Sequence, residues 1–155
     1  MMDLQTLEAI KRLKYKYMRC LDQKLWDEMA ECFTEDATCS YSGGKYAFEG
    51  RDAIIAFFKE SMGSPKVLSS HRVHHPEIDI TSETSATGQW GLEDVFINEE
   101  MGITVRGAAY YKDEYVKIGD TWKIRHTGYQ RAYEEMESRK DMSWLTITQR
   151  FGQTG

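Results

Sequence analysis

Residues 85–118 read SATGQWGLEDVFINEEMGITVRGAAYYKDEYVKI, and this stretch decides the fold. On either side of EEMG (99–102), apolar and polar residues alternate, which is the pattern of half-buried β-strands. Working outward, VLSSHRVHHPEIDI (67–80) precedes the turn-like TSET, and TWKIRHTGYQRAY (121–133) follows the turn-like GD. Four long strands joined by short turns predict an antiparallel meander. From residue 67 back to the N-terminus the period changes. Leu7, Ile10, Leu13, Tyr17 and Leu21 recur at steps of three and four, which predicts an amphipathic helix over 4–21. KLWDEMAECF (24–33) predicts a second helix with FTEDA (33–37) as its polar exit, and the segment 51–62 a third. TCSYSGGKYAF (38–48) carries two short β-prone runs around Gly43-Gly44, a hairpin signal. Helices followed by strands predict an α+β domain with helices against one sheet face. No linker or repeat divides residues 1–155, and the tail, 136–155, has little periodicity.

Composition narrows the function. With Lys+Arg 20 against Asp+Glu 25, the net charge of −5 argues against nucleic acid, which requires a basic face. No apolar run is long enough to span a membrane. Cys20, Cys32 and Cys39 are odd in number and lack metal-ligand spacing, so they read as reduced thiols of a cytoplasmic protein.

Three of the four histidines lie in HRVHH (71–75). On a strand, His71 and His75 would stand roughly 13 Å apart with His74 on the other face. Zinc needs nitrogens at about 2.0–2.1 Å, so this is not a metal site. Ile78 and Ile80 share a face with His74. For His71 to point inward with them, a bulge near Pro76 must switch the register. Asp94 alternates with Trp90, Leu92 and Phe96, which puts a carboxylate in an apolar wall, where it requires a partner. Histidine is a natural one, and a structural pairing with an arginine or the backbone is the alternative. Tyr17 lies in the first helix's apolar stripe and can be either packed core or a phenolic donor at a pocket floor. Asp22, between two predicted helices, reads as an N-cap. Arg131 reads as a surface residue or a partner for an acid. Tyr41, Trp90 and Tyr111 would suit a flat hydrophobic ligand as well as a core, and His126 alternates with Trp122 and Ile124 toward the interior.

In CLDQKLWDEMAECFTEDA, FEGRDAIIAFF, HRVHHPEI, ATGQWGLED and YYKDEYVKIGDTWKIRHTGYQR, taken in order, the chain resembles the SnoaL-like family of the nuclear transport factor 2-like superfamily. Within it the sequence looks most like the bile-acid 7α-dehydratases and scytalone dehydratase-like enzymes. The resemblance implies a cone-shaped barrel, a curved antiparallel sheet wrapped around three helices, enclosing an apolar pocket. It places Tyr17, Asp22, His71, Asp94 and Arg131 at functional positions, and it selects His71 over His74. It implies a lyase without metal or organic cofactor, acting on a hydrophobic, ring-containing hydroxy-carbonyl compound. In that expectation Asp94 orients His71 as base and Tyr17 donates to the carbonyl oxygen. An isomerase, a polyketide cyclase or a binding protein would use the same pocket. The resemblance also implies a homo-dimer or homo-trimer.

Overall fold

The computed structural model describes residues 3–153. α1 (Leu4–Gln23) buries Ile10, Leu13, Tyr17 and Leu21 of the stripe read from the sequence, with Leu7 only half-buried, and with them Lys14. Asp3 caps its start, its carboxylate accepting from the Gln5 amide. Lys24 ends it in the left-handed conformation at φ 58°. The Lys24 ammonium then donates to the carbonyls of Met62, Ser64 and Val67, which ties the end of α1 to the start of the sheet. α2 is only one turn and a half, Trp26–Ala30. The segment after it is a strand rather than a helix exit: β1 runs Phe33–Tyr41 and joins, through the turn Ser42–Gly44, the short β2 (Tyr46–Glu49). The hairpin is the one expected around Gly43-Gly44; the first half of β1 was hidden because its ladder is interrupted between Phe33 and Thr38, so TEDA shows no alternation. α3 spans Arg51–Met62 and buries Ile54, Ile55, Phe58 and Met62.

The meander is as expected: β3 (Val67–Ser82), β4 (Ser85–Asn98), β5 (Ile103–Ile118) and β6 (Thr121–Ser138). The full sheet has the order β2-β1-β6-β5-β4-β3. It departs from the expected antiparallel barrel in two ways. β1 pairs parallel with β6, which makes the sheet mixed, and β2 and β3 remain separate edges, so the curved sheet does not close. α1 packs on β3 and β6, and α3 on β1 and β2, which gives an α+β cone with the core between helices and sheet. Among the described residues no helix is long and apolar enough to cross a membrane.

Three bulges decide which side chains face the core. On β3 the pairing His74↔Gly91 is followed by Glu77↔Gln89, one extra residue on the β3 side. His75 absorbs it at φ 35°, and its ring lies over Gly91, where a Cβ would meet His75 Nε2 at 2.9 Å. This is the register switch that an inward His71 requires. On β6, one extra residue follows Ile124 and another follows Arg131. The inward set therefore runs Trp122 and Ile124, then Thr127, Tyr129 and Arg131, then Glu134.

Candidate active site

A cavity of about 280 Å³ lies between α1, α3 and the sheet. Its walls are mainly aromatic, including Tyr41, Phe57, Phe58, Phe96, Tyr111 and Tyr129. Tyr41, Phe57 and Phe48 stack in series, with ring centroids 6.3 Å and 4.7 Å apart. A larger groove of about 760 Å³ runs over α1 and the β5–β6 turn. It is an open surface lined by paired charges, Arg19 with Glu28 and Lys16 with Glu31, and offers no comparable enclosure.

His71 is on the cavity wall. Its Nδ1 lies 2.6 Å from Asp22 Oδ1, and its backbone N–H donates to Asp22 Oδ2 at 2.8 Å. Ser69 Oγ donates to the same carboxylate at 2.9 Å. Asp22 is in the last turn of α1 rather than at an N-cap, and Lys24 holds that turn against β3. A carboxylate is acceptor-only, so Nδ1 carries a proton, and in the neutral ring Nε2 is the nitrogen that keeps a lone pair.

Asp94 is directly opposite His71 on β4 but is bonded elsewhere. Its two oxygens accept from Arg131 Nη1 at 2.5 Å and Nη2 at 3.0 Å, a bidentate pair. The expected Asp94–His71 pairing is thus replaced by two separate pairs, Asp22–His71 and Asp94–Arg131. Gly107, the β5 partner of Asp94, makes room for this: a Cβ there would meet the Tyr133 carbonyl at 2.4 Å and Arg131 Nη1 at 3.0 Å. Arg131 Nε also faces Glu134 Oε2 at 3.0 Å, a charge contact too bent to be a hydrogen bond. Burial pulls the Arg131 pKa down, but the hydrogen bonds and charge of Asp94 more than offset this and raise it, so the guanidinium stays charged.

Across the cavity, the hydroxyls of Tyr17 and Tyr41 lie 2.7 Å apart. Burial, then the neighbouring Tyr41, raises the Tyr17 pKa well above 10.0; burial, then Tyr111, does the same for Tyr41. Both remain protonated donors. Behind them is a feature the sequence did not flag: Lys14, fully buried, pairs with Asp113 at 2.7 Å. Its ammonium stands 3.5 Å from the Tyr111 ring centroid and 4.8 Å from that of Tyr17. Asp113 also accepts from Thr127 and Tyr115, each at 2.7 Å. The only sequence signal was a lysine between Ile10 and Tyr17 at helical spacing.

Tyr17, Tyr41, His71, Asp94, Tyr111 and Arg131 thus meet around one cavity, with Asp22 immediately behind His71. Trp90 does not reach it: its indole is buried beneath and donates to Tyr115 Oη at 2.9 Å. His126 does not reach it either. The first β6 bulge turns it to a depression with Tyr110 and Lys112, where it bonds Thr38 Oγ1 at 2.6 Å. His74 pairs with Glu93 at 3.1 Å, on the exposed side. Phe57, Phe58, Tyr129 and Glu134 line the cavity without having been singled out. For Tyr129 and Glu134 the bulges hid the alternation.

Comparison with known structures agrees with this architecture. A provisionally assigned scytalone dehydratase from Novosphingobium aromaticivorans superposes with a TM-score of 0.79 at 23% identity, over 98% of this chain and 97% of that one. A hexachlorocyclohexane dehydrochlorinase, LinA-type3 from Novosphingobium barchaimii, gives 0.77 at 17% identity over 86% and 91%. ActVI-ORFA from Streptomyces coelicolor gives 0.70 at 17% over 83% and 98%. At these identities the likeness speaks to the fold. Residues 2–128 match the model of the SnoaL-like domain, and the chain belongs to that family.

Proposed function

We propose that the protein is a cofactor-independent lyase that removes water from a hydrophobic, ring-containing hydroxy-carbonyl compound. The observation that carries this reading is His71 on the cavity wall, its Nδ1 engaged by Asp22, with the Tyr17–Tyr41 hydroxyl pair also lining the cavity. His71 Nε2 removes the C–H proton made acidic by the carbonyl, and Asp22 stabilises the imidazolium that forms. Within the Tyr17–Tyr41 pair one hydroxyl donates to the other, and the second donates to the oxygen on which charge develops. The imidazolium then returns the proton to the departing hydroxyl, which leaves as water. A matched base of this kind contributes about 10²–10⁴-fold. Asp94 and Arg131, locked together, shape the wall beside His71. The cavity, about 280 Å³, is just below the usual range for small-molecule sites, about 300–1,000 Å³, which favours a compact polyketide-like ring ketone over a steroid.

Thermal-shift screening of cyclic hydroxy-ketones identifies ligands, and product mass identifies the reaction: dehydration loses one water, whereas isomerisation or cyclisation by the same pair keeps the mass. His71→Ala is expected to bind the ligand and lose turnover. An active His71→Ala enzyme sinks the mechanism.

A further inference from the structure

Besides its tyrosines, the cavity is lined by four ionisable side chains: His71, Asp94, Arg131 and Glu134. Arg131 is the permanent cation among them, and a single arginine on an aromatic wall would ordinarily recruit a carboxylate or phosphate. Here its fork is occupied. Both Nη atoms bond Asp94, and Nε faces Glu134 Oε2 at 3.0 Å. The cluster of one guanidinium and two carboxylates therefore carries −1. Asp22, behind His71 and outside the lining, has Arg72 within 3.5 Å and leaves that balance unchanged. The buried cation beneath the floor, Lys14, is neutralised by Asp113. Lys45 stands 5.2 Å from the ring centroid of Tyr46, outside the lining residues.

From this arrangement we infer that Glu134 is a specificity-determining residue: by occupying the free side of Arg131 it makes the cavity select uncharged ligands and reject carboxylates. The inference rests on the reading of this cavity as the ligand site, and it narrows the substrate class to compounds without an acidic group on the part that enters. It also suits a leaving group that departs neutral. A hydroxyl protonated by His71 leaves as water, whereas a departing anion would have only the Asp22-paired imidazolium to face, because Arg131 is occupied by Asp94 and Glu134. Placement explains why two acids rather than one act on Arg131. Asp94 is buried and holds the fork in place, while Glu134, with its side chain 48% exposed, sits toward the solvent side and sets the charge an entering ligand meets.

The test is equilibrium binding by calorimetry at pH 7 of two probes of similar shape, 2-naphthol (neutral) and 2-naphthoate (anionic), to the wild-type protein and Glu134→Gln. The wild type is expected to prefer 2-naphthol by at least about tenfold, from charge repulsion across a few ångströms at intermediate dielectric. Glu134→Gln is expected to strengthen 2-naphthoate binding about five- to tenfold and leave 2-naphthol within about twofold, with the gain shrinking as salt is raised. Equal affinity of the wild type for both probes, or a parallel change of both in Glu134→Gln, overturns the charge-selection role and leaves the ligand site standing. Failure of the folded wild-type protein to bind either probe overturns the ligand-site reading, and this inference with it.

Discussion

Lys14 and Asp113 form the pair on which the cavity floor depends, and replacing Lys14 by Met tests that dependence. Met keeps the length and most of the volume of the lysine stem, so the packing cost should stay below about 1.5 kcal/mol. The main effect is electrostatic. Asp113, with a side chain fully excluded from solvent, keeps only the hydroxyls of Thr127 and Tyr115, at 2.7 Å each, and loses the ammonium at the same distance. Removing one member of a buried ion pair costs about 3–5 kcal/mol, because the other charge is left uncompensated. With a urea m-value near 2 kcal/mol/M, Lys14→Met should lower the denaturation midpoint by roughly 2 M, followed by far-UV circular dichroism. Asp113→Asn should cost a similar amount by stranding the ammonium. The double variant Lys14→Met/Asp113→Asn has no charge to strand and should be more stable than the sum of the singles predicts, by about 2 kcal/mol or more. Additive single effects, or a Lys14→Met protein within about 1 kcal/mol of wild type, would refute the reasoning.

Asp22→Asn and Asp94→Asn separate the two carboxylates kinetically. Once a substrate is in hand, Asp22→Asn should lower kcat by about 10²-fold or more with little change in KM, whereas Asp94→Asn, which releases Arg131, should act mainly on KM; the reverse pattern would return Asp94 to His71. Alkaline pH should weaken the fold. Burial raises Cys32 to about 12 and Cys39 to about 11 from 9.0, so above pH 9 the unfolded chain has lost thiol protons that the folded one keeps. Stability then falls with rising pH, by up to about 1.4 kcal/mol per pH unit for each such thiol, and urea midpoints measured under reducing conditions should decline from pH 9 upward. The buried tyrosines add to the loss above pH 10, while Lys14, whose pKa burial lowers, acts in the opposite sense. Deleting His75 removes the extra residue of β3, so that His71 and Ile78 can no longer both face inward. The variant should lose about 2 kcal/mol or more of stability, or ligand binding if it folds; retention of both refutes the bulge's role.

Much of the architecture was legible because its signals are local. Side-chain alternation along 85–98 and 103–118 and the three-four spacing along α1 reflect which face is buried, and the strand and helix ends obey turn chemistry. The same alternation placed Asp94 among apolar neighbours, and it is buried at 7% exposure. Alternation failed wherever a bulge intervened. It pointed His126 inward and left Tyr129 and Glu134 unremarked, because one inserted residue reverses every side chain beyond it. The hairpin around Gly43-Gly44 was legible, but the first half of β1 was not, since its parallel pairing to β6 is a contact across some ninety residues that no local window contains.

The partners of the charged groups lay further out of reach. By itself the sequence determined an α+β chain with an acid in an apolar strand face, a histidine on the preceding strand and tyrosines on three elements. Only the tertiary structure decided that Asp22 reaches His71, that Arg131 takes Asp94, and that Lys14 is buried against Asp113. A carboxylate's need for a partner comes from desolvation and can be read from burial alone. Which cation or imidazole meets that need depends on how the end of α1 is pinned to β3 and how two bulges rotate β6, and those are properties of the packed chain.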